Sequence, residues 1–184
     1  MKRIDNFVAL CLNKGFITSE QEPWLRYGIE KRFSAVLVSI PMILLGAVIS
    51  SPMQSLAFYI TVYTLRTKTN GIHAKTPLRC CLFSLLGVAF FLGILPQICN
   101  NLLALLIVTT SAVVIFLLSP YNHPNMRLST EERTACAQSA KRHLLKLLLI
   151  ALTLSVLHCG QIVTGILLGI VMVAISLVLA YILH

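Results

Sequence analysis

The chain has 184 residues, 57% of them hydrophobic and only 11% charged, with a mean hydropathy of +0.86. That is too apolar for a soluble domain of this length. Its formal net charge of +9 is gathered into three segments, all net basic, separated by long uncharged runs. This is the layout of a multi-pass membrane protein with no nucleic-acid partner.

Residues 1–32 hold six Lys/Arg and four Asp/Glu. Within them Ile4, Phe7, Val8 and Cys11 recur at helical spacing, flanked by Lys2, Arg3 and Lys14. That pattern predicts an N-terminal amphipathic helix, lying on an anionic inner leaflet or docked on its own protein. Asp5 and Asn6 interrupt the short apolar stretch, so it is not read as a secretory signal. Ser19 followed by Glu22 reads as a capping box opening a second helix, which runs past Trp24 and Tyr27 into the first span.

The uncharged runs cover residues 33–65, 80–126 and 147–184. Each exceeds the roughly 20 residues that one helix needs to cross a bilayer. Each also carries turn-forming residues near its middle: Ser50-Ser51-Pro52, Pro96-Gln97 with Asn100-Asn101, and His158-Cys159-Gly160-Gln161. The expectation is an all-α integral membrane protein forming a single membrane domain over 1–184. Six spans in three hairpins fall near 34–50, 53–66, 78–96, 102–119, 144–159 and 162–183. Four spans with a re-entrant segment are the alternative. The turns lack Lys and Arg, so the positive-inside rule puts both termini and the basic segments at 66–79 and 120–146 in the cytoplasm.

Six cysteines (11, 80, 81, 99, 136 and 159) lack CxxC spacing and ligand-type pairs. Neither a disulfide framework nor a metal site is expected, and no cofactor is implied.

Residues 66–84, RTKTNGIHAKTPLRCCLFS, carry the chemistry. Thr76-Pro77 reads as a helix start, with Thr76 as N-cap and Pro77 at the first helical position. Cys80 then falls within the first turn or just past it. A helix N-terminus there, with Lys75 and Arg79 nearby, favours the thiolate. His73 precedes the helix. A continuous helix over 73–80 would separate imidazole and sulfur by about 10 Å along the axis, so the break at Pro77 is what permits contact. Asn70-Gly71 upstream tolerates the turn that folds the chain back. A Cys–His pair supports nucleophilic acyl transfer. Cys81 is the competing thiol, pointing about 100° away from Cys80 on a helix.

This stretch resembles the signature of the accessory gene regulator B family of bacterial membrane peptide-processing cysteine endopeptidases, through Arg66, Gly71, His73, Ala74 and Cys80. Leu82-Phe83-Ser84-Leu85 continues into an apolar helix as the family does. Tyr27-Gly28-Ile29-Glu30, and Pro120 followed by Asn125, are similar to weaker family features. Asn70 stands where the family often has a first glycine. The resemblance implies an enzyme in the bacterial cell membrane that cuts the C-terminal part of a short propeptide and cyclises it into a quorum-sensing signal. Cys80 would be nucleophile and His73 base and then acid, and the spacing between them favours Cys80 over Cys81. The resemblance also implies a homodimer. Arg66 and Asn70 are side-chain candidates for the oxyanion.

Arg127, Arg133, Lys141 and Arg142, in the basic segment 127–146, are candidates to hold an acidic propeptide tail or to anchor to anionic lipid. His123 and His143 are expected to face solvent or headgroups. The competing class is a non-enzymatic small membrane transporter or sensor. The absence of Lys, Arg, Asp and Glu well inside the expected spans argues against ion coupling. A third reading, a cysteine acyltransferase acting on lipid or acyl-CoA, has no phosphate-binding motif behind it.

Overall fold

The computed structural model describes residues 2–18, 20–69, 77–98, 100–121 and 130–183. Among them every regular element is a helix. In chain order these are α1 (Lys2–Asn13), α2 (Glu22–Ile49), α3 (Pro52–Thr69), α4 (Pro77–Val88), a π-helical stretch (Ala89–Ile94), α5 (Leu95–Ile98), α6 (Asn101–Leu118), α7 (Thr130–Val156) and α8 (Gly160–Leu183). The chain divides into two compact units, Met1–Pro41 and Met42–His184.

In the first unit, α1 ends on Gly15, whose positive φ of 71° lets Phe16 N–H reach Cys11 O and Gly15 N–H reach Leu12 O, both at 3.0 Å. These two bonds satisfy carbonyls that the helix end would leave open. Phe7 and Leu10 are exposed while Val8 is buried. Asp5 of α1 pairs with Arg26 of α2. Just before α2, Gln21 Oε1 accepts from the Thr18 N–H at 3.1 Å, and α2 starts at Glu22, the residue expected to pair with Ser19 in a capping box. Ser19 itself lies outside the described residues.

The second unit is a helical bundle whose turns sit where the punctuation residues predicted them. Ser51 caps α3 by accepting from Gln54 N–H, and Asn100 caps α6 by accepting from Leu103 N–H at 2.8 Å. Ser51 Oγ also donates to Gln161 Oε1 at 3.1 Å, tying the α2–α3 turn to the start of α8. The α7–α8 turn is as tight as its sequence suggested. His158 takes a positive φ of 57°, and Cys159 N–H reaches back to Leu154 O at 3.0 Å. Pro96 does not break its helix as expected. The π-helical stretch just before it widens the turn, with Leu95 N–H bonding Phe90 O, and the helix continues to Ile98. Widening there relieves the clash and the missing donor that a proline imposes on an α-helix.

α3 and α8 form the centre of the bundle. Phe58, Thr61, Val62 and Leu65 of α3 are buried, as are Ile166, Ile170, Val173, Leu177 and Ala180 of α8. Their close approach rests on Gly165 and Gly169, a G-x-x-x-G pair that lets the α8 backbone lie against Gln54, Phe58 and Thr61. Small residues at four-residue spacing are how membrane helices pack closely without a hydrophobic drive. α6 buries only Ser111 and Ile115 and turns the rest of an apolar surface outward.

Residues 81–98, α6 and α8 are each long and apolar enough to cross a membrane, and Val38–Ile49 is a shorter apolar helix. The protein is an all-α membrane protein. Helices occupy all six positions where spans were expected, but α3 carries Arg66 and Lys68 in its last turn and α7 is charged through Lys146. The expected basic loop over 120–146 is, from Thr130 onward, the first half of a 27-residue helix. Glu, Arg, Ala, Gln, Lys and Leu are strong helix formers, and Glu131 and Glu132 suit its N-terminal dipole.

Candidate active site

The α3 helix runs three residues past Arg66 and ends at Thr69. Arg66 is half-buried. Thr69 is fully buried, and its carbonyl accepts from the Tyr121 N–H at 3.0 Å. Tyr121 follows the end of α6 and packs on Leu177 and Ala180 of α8. Its ring meets Tyr181 edge to face with centroids 4.9 Å apart, and the Tyr181 hydroxyl donates to Leu118 O at 2.9 Å. The ends of α3, α6 and α8 are therefore fastened together where the chain leaves α3 toward the candidate histidine.

Asn70, Gly71, His73 and Thr76 lie outside the described residues. The chain resumes at Pro77, which opens α4. Over the described residues α4 runs from Pro77, and Cys80 is its fourth residue. Pro77 has no N–H to leave open, so the free N–H groups of Leu78 and Arg79 and the positive end of the helix dipole lie beside the Cys80 backbone. The side chain of Cys80 lies outside the described residues. Cys81 is half-buried and free.

On the neighbouring helix, Lys68 of α3 donates to Ser139 Oγ of α7 at 3.1 Å. His143 stands one turn further along α7. The expectation that it faces solvent or headgroups is corrected: it is half-buried, and its Nε2 is enclosed with no hydrogen-bond partner among the described residues. Desolvation first, then the positive charges of Lys68 and Lys146, hold its pKa below the usual histidine value. Both effects favour the neutral imidazole.

The candidate substrate-holding cations are not gathered together. Arg127 lies outside the described residues, and Arg133 is exposed on the first turns of α7. Lys141 lies over the Phe116 ring at 4.4 Å, and Arg142 Nε donates to Gln138 O of its own helix at 3.3 Å. No group of three or more His, Cys, Asp or Glu able to hold a metal ion is found among the described residues.

Sequence reasoning missed Thr69, Tyr121, Tyr181, Ser139 and the burial of His143. The tyrosines gave no signal, because they meet across 60 residues of chain. Ser139 and His143 did share a helical face at four-residue spacing, beside the buried Ala140, Leu144, Leu147 and Ala151. That seam was hidden by reading 120–146 as a loop.

The model of the accessory gene regulator B family matches residues 5–177. The chain belongs to the accessory gene regulator B family. No curated protein and no solved structure matches it. Family membership ties the chain to the accessory gene regulator pathway of quorum sensing.

Proposed function

We propose that this membrane protein is a cysteine endopeptidase that cleaves the C-terminal part of a short autoinducer propeptide and cyclises the remainder. The observation that carries the reading is the start of α4 at Pro77. Cys80 is the fourth residue of that helix, seven residues after His73 in sequence. Membership of the accessory gene regulator B family supports the substrate class.

The Cys80 thiolate attacks the carbonyl carbon at the cleavage site, and the tetrahedral oxyanion draws on N–H groups of the α4 N-terminus, with Arg66 or Asn70 as side-chain donors. His73, having taken the thiol proton, gives it to the leaving amine. The C-terminal fragment departs and an acyl-thioester remains on Cys80. A thiol or hydroxyl inside the bound peptide then attacks that carbonyl and returns its proton through His73. Cys80 is released as a thiolactone or lactone closes. No water is consumed in the second step, and a site at the membrane surface limits competing hydrolysis.

The arrangement in the membrane follows the charge pattern: six spans, both termini and the basic segments in the cytoplasm, and the amphipathic α1 on an anionic inner leaflet. A homodimer is the working assembly. With Lys141 and Arg142 engaged on their own protein, Arg133 and Arg127 are the first cations to test for a role in holding the propeptide.

The test is mass spectrometry of a candidate propeptide incubated with the reconstituted protein, beside Cys80→Ala, His73→Ala and Cys81→Ala. The expected product is an N-terminal fragment lighter by one water than simple hydrolysis gives, absent with Cys80→Ala and His73→Ala. Cleavage retained in Cys80→Ala removes it as nucleophile.

A further inference from the structure

We propose that His143 positions the root of the 70–76 segment: as a neutral imidazole it keeps the last turn of α3 packed against α7. This rests on the peptidase reading only for its consequence in catalysis.

Three observations meet at this point. Lys68, in the last turn of α3, spans to Ser139 of α7 at 3.1 Å. His143 lies four residues beyond Ser139, hence on the same face of α7 and one turn away. Its Nε2 is enclosed and has no partner among the described residues. Thr69, the next residue after Lys68, is the fixed point from which the chain runs on to His73. A change in how Lys68 sits on α7 therefore alters the helical turn from which that chain departs.

Among the described residues the charges that act on His143 are of one sign, Lys68 of α3 and Lys146 of α7 itself. Arg66 shares the last turn of α3 with Lys68, and Lys141 and Arg142 precede His143 on α7. Glu131 and Glu132 stand about three turns back along α7, too far to neutralise the ring. α6 and α8 hold no Lys, Arg, Asp, Glu or His over their described residues, Tyr181 being their one titratable side chain. A proton added at Nε2 would create a cation facing Lys68 with no acceptor. The arrangement can lower that repulsion by parting α3 from α7.

The direction with pH follows. The depressed pKa means that the parted state, in which the ring is hydrated and near its ordinary 6.5, binds the proton more strongly than the packed state. The contact is fully present above that ordinary value. It weakens as pH falls below it toward the depressed pKa, and no further beyond. Each unit of depression corresponds to at most about a tenfold change in the packed-to-parted ratio.

The experiment is hydrogen exchange of residues 63–69 and 139–146 in the full chain in nanodiscs, at pH 7.5 and 5.5, corrected for intrinsic exchange. Wild type, His143→Gln and His143→Arg are compared, with propeptide turnover measured on the same samples. Wild type is expected to lose protection in the last turn of α3 at the lower pH. His143→Gln should keep it at both, and His143→Arg should lack it at both. In turnover, kcat of wild type relative to His143→Gln should fall at the lower pH while the ratio of KM values stays level. Wild-type exchange that ignores pH, or a His143→Gln protein that follows wild type, overturns the proposal. So does a kcat ratio that stays flat while both proteins turn over propeptide. A wild type that processes no propeptide but shows the exchange pattern would sink the peptidase reading and support the positioning role.

Discussion

The main-chain N–H of Tyr121 donates to the carbonyl of Thr69 at 3.0 Å, so the chain leaving α6 closes the end of α3. A helix end leaves four carbonyls without partners, and inside a bilayer-bound bundle water does not readily supply them. Tyr181 reinforces the same knot through its ring contact with Tyr121 and its hydroxyl bond to Leu118 O. Tyr181→Phe keeps the ring and deletes that bond. The expected cost is about 1 kcal/mol, read as a lower midpoint of thermal unfolding in nanodiscs. Tyr181→Ala, which also removes the ring contact, should fall further. An unchanged midpoint in both would mean the knot adds nothing to stability.

Thr69 offers the opposite sign. Its Oγ1 is buried and has no hydrogen-bond partner among the described residues. Thr69→Val replaces the hydroxyl by a methyl of similar shape and relieves an unmet donor. A gain on the order of 1 kcal/mol is expected. A loss of stability would reveal a polar partner at Oγ1, and would tie this hydroxyl to the adjoining 70–76 segment.

His158 closes α7 in the left-handed region, at φ 57°, where a side chain is strained and glycine is not. The two bonds that follow, His158 N–H to Ser155 O and Cys159 N–H to Leu154 O, need that backbone conformation and not the imidazole. His158→Gly should therefore raise stability by about 1 kcal/mol without touching cleavage. The check is a paired unfolding and activity measurement. A loss of activity at unchanged fold would give this outer turn a functional role.

Cys81 is half-buried and shares the first turns of α4 with Cys80, about 100° around the helix. Cys81→Ala should leave propeptide cleavage near the wild-type rate while Cys80→Ala abolishes it. The two variants compared under one assay decide which thiol forms the acyl-enzyme.

Much of the fold was legible because membranes enforce simple rules. Uncharged runs had to be helical, and Ser51, Asn100 and His158-Cys159-Gly160 marked their turns by local chemistry that needs no partner. Pro77 likewise stands as the first described residue of α4. What was hidden depends on distant contacts. The continuation of α7 back to Thr130 was hidden by its charges, which read as a loop, and its partner Lys68 lies on the distant α3. The Thr69–Tyr121–Tyr181 knot joins residues far apart in sequence and has no periodic signature. His143 looked like one more polar residue in a basic stretch, because its burial depends on the packing of the bundle, which the local sequence does not mention.

The G-x-x-x-G pair on α8 was written in the sequence, and it makes the sharpest stability prediction. A Cβ added at Gly165 would run into the main-chain oxygen of Gln54 and lie 3.0 Å from Ala57 Cβ. Backbone cannot swing aside as a flexible side chain can, so Gly165→Ala must push α8 away from α3. The expected cost is about 1–3 kcal/mol. At Gly169 the Cβ would meet the Thr61 side chain at 2.8 Å, with Phe58 O at 3.2 Å. Gly169→Ala should cost less, because part of the clash is with a rotatable group. Gly160, with nothing within 4 Å of the added carbon, is the control, and Gly160→Ala should be close to neutral. Thermal unfolding of the three variants in one lipid composition gives the ranking. If Gly165→Ala is as stable as Gly160→Ala, close backbone packing does not hold α3 on α8. The platform from which Thr69 launches the candidate active segment would then owe its position to the tyrosine knot instead.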